Sequence, residues 1–225
     1  LTLAGVCLGI SSIKFSIDGN FSLAVIFILF AAILDALDGR VARLIKGTSE
    51  FGKELDSLTD FVSFGIAPVF ILYFWELKNY GKLGWAITLI YSVCCVLRLA
   101  RFNLTKMNNQ EIWKNNYFEG VPSPAGGILI LFPLIFELAQ LNTVLEIRSI
   151  TPFFTVLIAV LLVSKIPTLS LKKISISPKA TIFILLGIGL VFISLLFYTF
   201  KPLLIFSLIY LFSVPISYIM YKNQT

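Results

Sequence analysis

Six of the chain's twelve acidic residues fall within 26 positions: Asp35, Asp38, Glu50, Glu54, Asp56 and Asp60. Asp35 and Asp38 interrupt a run that is otherwise apolar. Asp35 precedes the nearest lysine, Lys46, by eleven residues, which is about 16 Å along a helix. A single carboxylate deep in a membrane span costs about 2.5–3.5 kcal/mol on insertion scales, and several together also repel one another. No structural need explains that expense, so the cluster is there to meet something positive.

A helical wheel at about 100° per residue puts Asp35, Asp38, Gly39, Ala42 and Arg43 within an arc of roughly 140°, with Leu37, Val41 and Leu44 facing away. On the next helix Gly52, Asp56, Asp60, Ser63 and Ala67 fall within about 80°. A loop of roughly eight residues makes the two helices antiparallel neighbours, so four carboxylates are expected to converge near one end of the pair. The small residues Gly39, Ala42 and Gly52 admit two readings: room for a flat or extended ligand against the backbone, or close helix packing.

The chain has no histidine, which excludes imidazole bases, phosphohistidine intermediates and His metal ligands. Cys7, Cys94 and Cys95 sit in apolar stretches without ligand spacing and read as small buried hydrophobes. What remains is an oxygen-only donor set for a hard divalent cation, Mg²⁺ or Mn²⁺ with Ca²⁺ also admitted. Mg²⁺ characteristically binds a few carboxylates together with substrate phosphates, which points to phosphoryl chemistry with a carboxylate as the base.

The elements that must position these groups are membrane helices. The 225 residues are 58% hydrophobic and only 13% charged, with a mean hydropathy of +0.93. Soluble domains average about 45–50% apolar and about 25% charged residues. The expected fold is all-α, a polytopic transmembrane bundle of about eight spans, at 1–16, 21–45, 54–77, 83–105, 122–141, 151–166, 180–200 and 202–221. Eight spans use about 160 positions and leave no room for a separate soluble domain, so residues 1–225 are read as one membrane-embedded domain. The last two spans are expected to meet in a tight turn at Lys201-Pro202. The chain opens at Leu1 inside an apolar run, which reads as truncation. That run lacks a basic leader and a cleavage site and is not read as a signal peptide.

With the 46–54 loop on the cytoplasmic side, thirteen of the eighteen Lys and Arg residues fall on that side and five on the other. This positive-inside bias puts the acidic cluster at the cytoplasmic face of a multi-pass, bacterial-type inner or cell membrane. The net charge of +6 thus follows topology and contact with anionic lipid heads. No basic stripe with interleaved aromatics suggests nucleic acid.

The spacing Asp35-x2-Asp38-Gly39-x2-Ala42-Arg43-x8-Gly52-x3-Asp56-x3-Asp60 resembles the CDP-alcohol phosphotransferase signature at every fixed position. Further segments are similar to one branch, the CDP-diacylglycerol–serine O-phosphatidyltransferases. These are Asp56-Ser57-Leu58-Thr59-Asp60 leading into Ser63-Phe64-Gly65-Ile66-Ala67-Pro68, then Arg98-Leu99-Ala100-Arg101-Phe102-Asn103, then Glu119-Gly120-Val121-Pro122-Ser123-Pro124. The likeness covers residues 1–130 as a core, with 131–225 matching only as further helices that complete the bundle.

The resemblance implies displacement of CMP from CDP-diacylglycerol by the hydroxyl of L-serine, in a homodimeric membrane enzyme. It assigns Asp35, Asp38 and Asp56 to divalent metal, and Asp60 to the same metal and to the catalytic base. Gly39, Ala42, Arg43, Gly52 and Ser123 are expected on the CDP-lipid, with Arg43 alternatively a positive-inside arginine. Ser63, Arg98, Arg101 and Asn103 are expected at the acceptor. Ser63 could equally bond its own helix. Asn103 points some 160° from Arg101 on a straight helix, so the two serve one pocket only if the helix ends or bends. Glycerol 3-phosphate or inositol phosphate as acceptor, a divalent-cation transporter and a non-catalytic lipid-binding protein are the competing readings.

Overall fold

The computed structural model describes residues 2–44, 50–107, 117–140, 147–164, 166–169, 194 and 197–222. The chain runs α1 (Thr2–Ile17), α2 (Phe21–Leu44), α3 (Glu50–Asp60), a π-helical turn (Phe61–Ile66), α4 (Ala67–Trp75), a 3₁₀ turn (Leu77–Tyr80) and α5 (Lys82–Met107). There follow β1 (Tyr117–Glu119), α6 (Ser123–Ile130), α7 (Phe132–Leu138), α8 (Ile147–Val163), β2 (Pro167–Leu169) and α9 (Phe200–Lys222). Among the described residues the architecture is helical except for β1 and β2, which pair antiparallel with Phe118 opposite Thr168, and the turns between elements.

Helices α1 and α2 form a hairpin through Asp18-Gly19-Asn20, where the Asn20 side chain accepts from the Leu23 N–H at 3.3 Å and caps α2. α1 also packs along α3, the π turn and α4. It can do so because its inner face is small: Gly5, Gly9, Ser12 and Ser16 are its buried residues, a spacing that lets backbones approach. A Cβ on Gly9 would lie 3.1 Å from the Ser63 Cα. Gly9→Ala is therefore expected to destabilise the bundle by about 1–3 kcal/mol through overpacking, seen as a lower melting temperature in detergent. An unchanged melting temperature would show that this contact is loose.

The core is built where α4, α5, α6, α7 and α8 meet, with Ile71, Leu72, Tyr91, Leu129, Ile135 and Ile158 all fully enclosed. At the end of the bundle where α4 stops, Arg148 ties three elements together. It grips Glu137 with two bonds of 2.7 and 2.5 Å, lies 3.9 Å from Glu76, and stacks over Trp75.

Four helical stretches are long and apolar enough to cross a membrane: Phe21–Arg40, Glu54–Trp75, Lys82–Leu104 and Phe200–Ile219. Thr2–Ile17 and Ile147–Val163 are shorter apolar helices. These fit an integral membrane protein. They do not reach the expected eight spans among the described residues, and most of 180–200 lies outside them. Three expected helices also change form. The 54–77 span is two α-helices, α3 and α4, joined by the π turn. The 122–141 span is two helices, parting at Leu131 just before Pro133, which cannot donate to the preceding turn. The turn expected at Lys201-Pro202 comes earlier, at Tyr198-Thr199. Pro202 sits in the first turn of α9, where its missing N–H has no helical partner to lose.

Candidate active site

α2 brings Asp35 and Asp38, and α3 brings Asp56 and Asp60, within electrostatic reach of one another, and α1 packs against both helices. The Asp35 and Asp60 carboxyls share a hydrogen bond, and Asp38 and Asp56 are close enough to act electrostatically on Asp35. Asp56 acts on Asp60 as well. All four are half-buried. Asp38 accepts a hydrogen bond from the Thr2 hydroxyl at the start of α1. Nothing among the described residues lies within 4 Å of where a Gly39 Cβ would stand, and Gly39 is exposed. Of the two readings of its small size, that favours open space for a ligand over helix packing. Gly52 is exposed. The backbone of α2 continues through Ala42 and Arg43, whose side chains lie outside the described residues.

The floor of this acidic site comes from α5 and α6. Arg98 is 7% exposed, donates from Nη1 to the Ser123 hydroxyl at 2.6 Å, and stacks over Phe102. Its charge reaches Asp60. Ser123 is fully enclosed and also bonds the Cys95 thiol. Two side-chain atoms in this region are buried without a hydrogen-bond partner among the described residues, Asp60 Oδ1 and Arg98 Nε. A buried unmet donor or acceptor costs about 1–3 kcal/mol, more when charged, so an acceptor and a donor left unmet on two groups that act on each other electrostatically mark a place suited to a polar ligand.

The remaining expected site residues go elsewhere. Arg101 Nη1 donates to the Val163 carbonyl at 2.7 Å, closing an orphan carbonyl at the end of α8. The backbone at 120–121 adds two bonds nearby, the Gly120 N–H donating to the Ile166 carbonyl just past α8 and the Val121 N–H to the Leu161 carbonyl. Gly120 is fixed in this role, with φ +72° and space for a Cβ denied by the Ser164 carbonyl at 2.8 Å. Asn103 turns to α3 and donates to the Ser57 hydroxyl at 3.0 Å, next to Asp56. Arg101 and Asn103 thus face different neighbours, as the wheel requires of a continuous helix. The Ser63 hydroxyl donates to the Gly5 carbonyl of α1 at 3.1 Å and not to its own helix. Ser123, expected on the nucleotide, holds Arg98.

The donor set suits a hard cation. Carboxylates meet as closely as Asp35 and Asp60 do only when a proton or a cation offsets their repulsion, and every donor is oxygen. Among the described residues no three His, Cys, Asp or Glu side chains already form a metal-binding group. The carboxylates converge from two helices without closing a shell.

Residues 1–164 match the family model described as CDP-alcohol phosphatidyltransferase. The chain belongs to that family. The match runs beyond residue 130 to the end of α8, the carbonyl terminus that Arg101 holds. Divalent-metal dependence is general in CDP-alcohol phosphatidyltransferases. Among relatives named CDP-diacylglycerol–serine O-phosphatidyltransferase, that of Mycobacterium tuberculosis is 36% identical over 179 residues, 79% of this chain and 62% of the relative. That of Helicobacter pylori is 35% identical over 196 residues, 85% and 79% of the two chains. That of Methanocaldococcus jannaschii is 35% identical over 149 residues, 65% of each. The chain spans about six tenths of the length of the mycobacterial relatives it matches.

Within this CDP-alcohol phosphatidyltransferase, sequence reasoning overlooked α1. Thr2 bonds a motif aspartate, and Gly5 and Gly9 set the distance from α1 to α3. The signal was the Gly5-x3-Gly9 spacing in an apolar helix. Tyr91 shares a face with Arg98, two helical turns away, and is enclosed completely.

Proposed function

We propose that this chain transfers the phosphatidyl group of CDP-diacylglycerol to the hydroxyl of L-serine, giving phosphatidylserine and CMP. The observation that carries the reading is that Asp60 Oδ1 and Arg98 Nε are both buried and unmet among the described residues, on groups that act on each other electrostatically. Serine presents a hydroxyl proton and a carboxylate, one for each. A zwitterion needs one cation for its carboxylate, whereas glycerol 3-phosphate or inositol phosphate would ask for further basic side chains. The mycobacterial, Helicobacter and archaeal relatives carry the serine transferase name, which supports the same choice. Membership of a phosphatidyltransferase family sets the cation-transporter reading aside.

In the proposed reaction Asp60 takes the proton of the serine hydroxyl as its oxygen attacks the β-phosphorus in line. The new oxygen–phosphorus bond forms as the bond to the CMP oxygen breaks, and the electron pair leaves with CMP. Arg98, oriented by Ser123, binds the serine carboxylate through the fork geometry that suits carboxylates. Asp35, Asp38 and Asp56, with Asp60 sharing, would hold Mg²⁺ or Mn²⁺, which supplies charge neutralisation at the pyrophosphate. Gly39, Ala42, Gly52 and Arg43 are assigned to the CDP-lipid. Asn103 supports Asp56 through Ser57, and Arg101 supports the wall made by α8. The reading includes a homodimer and a site open to the cytoplasm, where the basic loops would lie.

CMP release by protein purified in detergent tests the proposal. With CDP-diacylglycerol and L-serine, release is expected to stop on chelation and to return with Mg²⁺ or Mn²⁺. Release that continues in excess chelator would contradict the metal assignment.

A further inference from the structure

The residue assigned as base is followed directly by the only π-helical segment among the described residues, Phe61–Ile66, with Asp60 itself as its N-terminal cap. The Ala67 N–H bonds back five residues to the Val62 carbonyl. Such wide turns insert extra chain into a helix and frequently lie at functional sites. One residue more or less in a turn rotates everything before it by about 100°. The bearing of Asp60 relative to α4 is therefore set by this turn.

The sequence explains why the turn needs outside support. In an α-helix the Phe64 carbonyl would accept from residue 68, which is Pro68 and has no N–H. α5 makes good the loss. The Tyr91 hydroxyl donates to the Phe64 carbonyl at 3.1 Å, and the next residue, Ser92, shares its one hydroxyl proton between the Gly65 carbonyl at 3.3 Å and the Thr88 carbonyl of its own helix at 3.1 Å. The other sides are closed by glycines. A Cβ on Gly127 of α6 would stand 3.0 Å from the Phe64 Cβ, and one on Gly9 of α1 would stand 3.1 Å from the Ser63 Cα. Tyr91 is 0% exposed, with its hydroxyl committed to the backbone, so it acts on the reaction through the turn and not on substrate.

We propose that the π turn sets the aim of Asp60 and that Tyr91 is the positioning residue that holds it, through its bond to the Phe64 carbonyl. Without that hydroxyl the buried Phe64 carbonyl loses its donor from α5, Pro68 cannot replace it, and the turn shifts to find another, which moves Asp60 away from Arg98 and the acceptor. The inference rests on the reading of Asp60 as the base.

The experiment compares Tyr91→Phe with wild type by kcat, by KM for both substrates and by melting temperature in detergent. The expected result is a fall in kcat of about tenfold, with both KM values within twofold and the melting temperature a few degrees lower. A merely structural hydroxyl would lower the melting temperature and leave kcat per folded protein unchanged, which overturns the proposal. A raised KM for serine with unchanged kcat overturns it too, by making Tyr91 a binding residue. Should Tyr91→Phe fail to fold, Ser92→Ala is read in the same way, with a fall in kcat of about threefold expected and an unchanged kcat decisive against. Asp60→Asn run alongside separates the two readings. If it keeps turnover, the base assignment fails; if it loses turnover while Tyr91→Phe behaves as wild type, only the positioning role fails.

Discussion

Asp60→Asn is expected to lower turnover by about 10³-fold while leaving CDP-lipid binding within a few-fold of wild type. Asparagine has the same shape and can still bond Asp35, the partner that Asp60 has now. What it cannot do is take a proton. General-base catalysis contributes about 10²–10⁴-fold; the chain has no histidine, and the neighbouring carboxylates, Asp35 and Asp56, are the ones assigned to metal. The check is CMP release at saturating substrates together with equilibrium binding of CDP-diacylglycerol. Turnover within tenfold of wild type would remove Asp60 from the role of base. Loss of both turnover and CDP-lipid binding would move it to the metal alone.

Arg98→Ala is expected to reduce kcat/KM for serine by about 10²–10³-fold. The change would remove the hydrogen bonds proposed to the serine carboxylate, each worth about 1.5–3 kcal/mol when charged, and would take a nearby cation from Asp60 and the donor from Ser123. Arg98→Lys keeps the charge but not the planar fork and is expected to lose about tenfold, chiefly as a higher KM for serine. CDP-lipid binding serves as the control for folding in both variants. A lysine variant with unchanged KM for serine, or an alanine variant whose loss lies wholly in CDP-lipid affinity, would take the acceptor carboxylate away from Arg98.

The aspartates could be read from the sequence because α2 and α3 are regular helices up to Asp60, so a wheel of fixed pitch places their faces correctly. The same wheel fails from Phe61 onward. It carried the stripe on to Ser63 and Ala67, yet Ser63 bonds α1 and Ala67 is fully buried in the core. The break in pitch depends on Pro68 and on hydroxyls from α5, a tertiary supply of hydrogen bonds that local periodicity does not contain. Arg101 shows the same limit. Its spacing from Arg98 put both on one face, but α5 meets α6 at one level and α8 at the next. Which neighbour an arginine finds is decided by packing. The fifth span was legible as apolar chain, while its division at Leu131 follows from Pro133, a residue whose missing N–H was open to notice.

The central claim, phosphatidyl transfer to serine, is tested most directly by CMP release from CDP-diacylglycerol and Mg²⁺ or Mn²⁺ with one acceptor at a time. L-serine, glycerol 3-phosphate, inositol phosphate and buffer alone form the panel, with the lipid product identified by mass. The account predicts release with L-serine only, matched one for one by phosphatidylserine. Release with glycerol 3-phosphate or inositol phosphate and none with serine would contradict it.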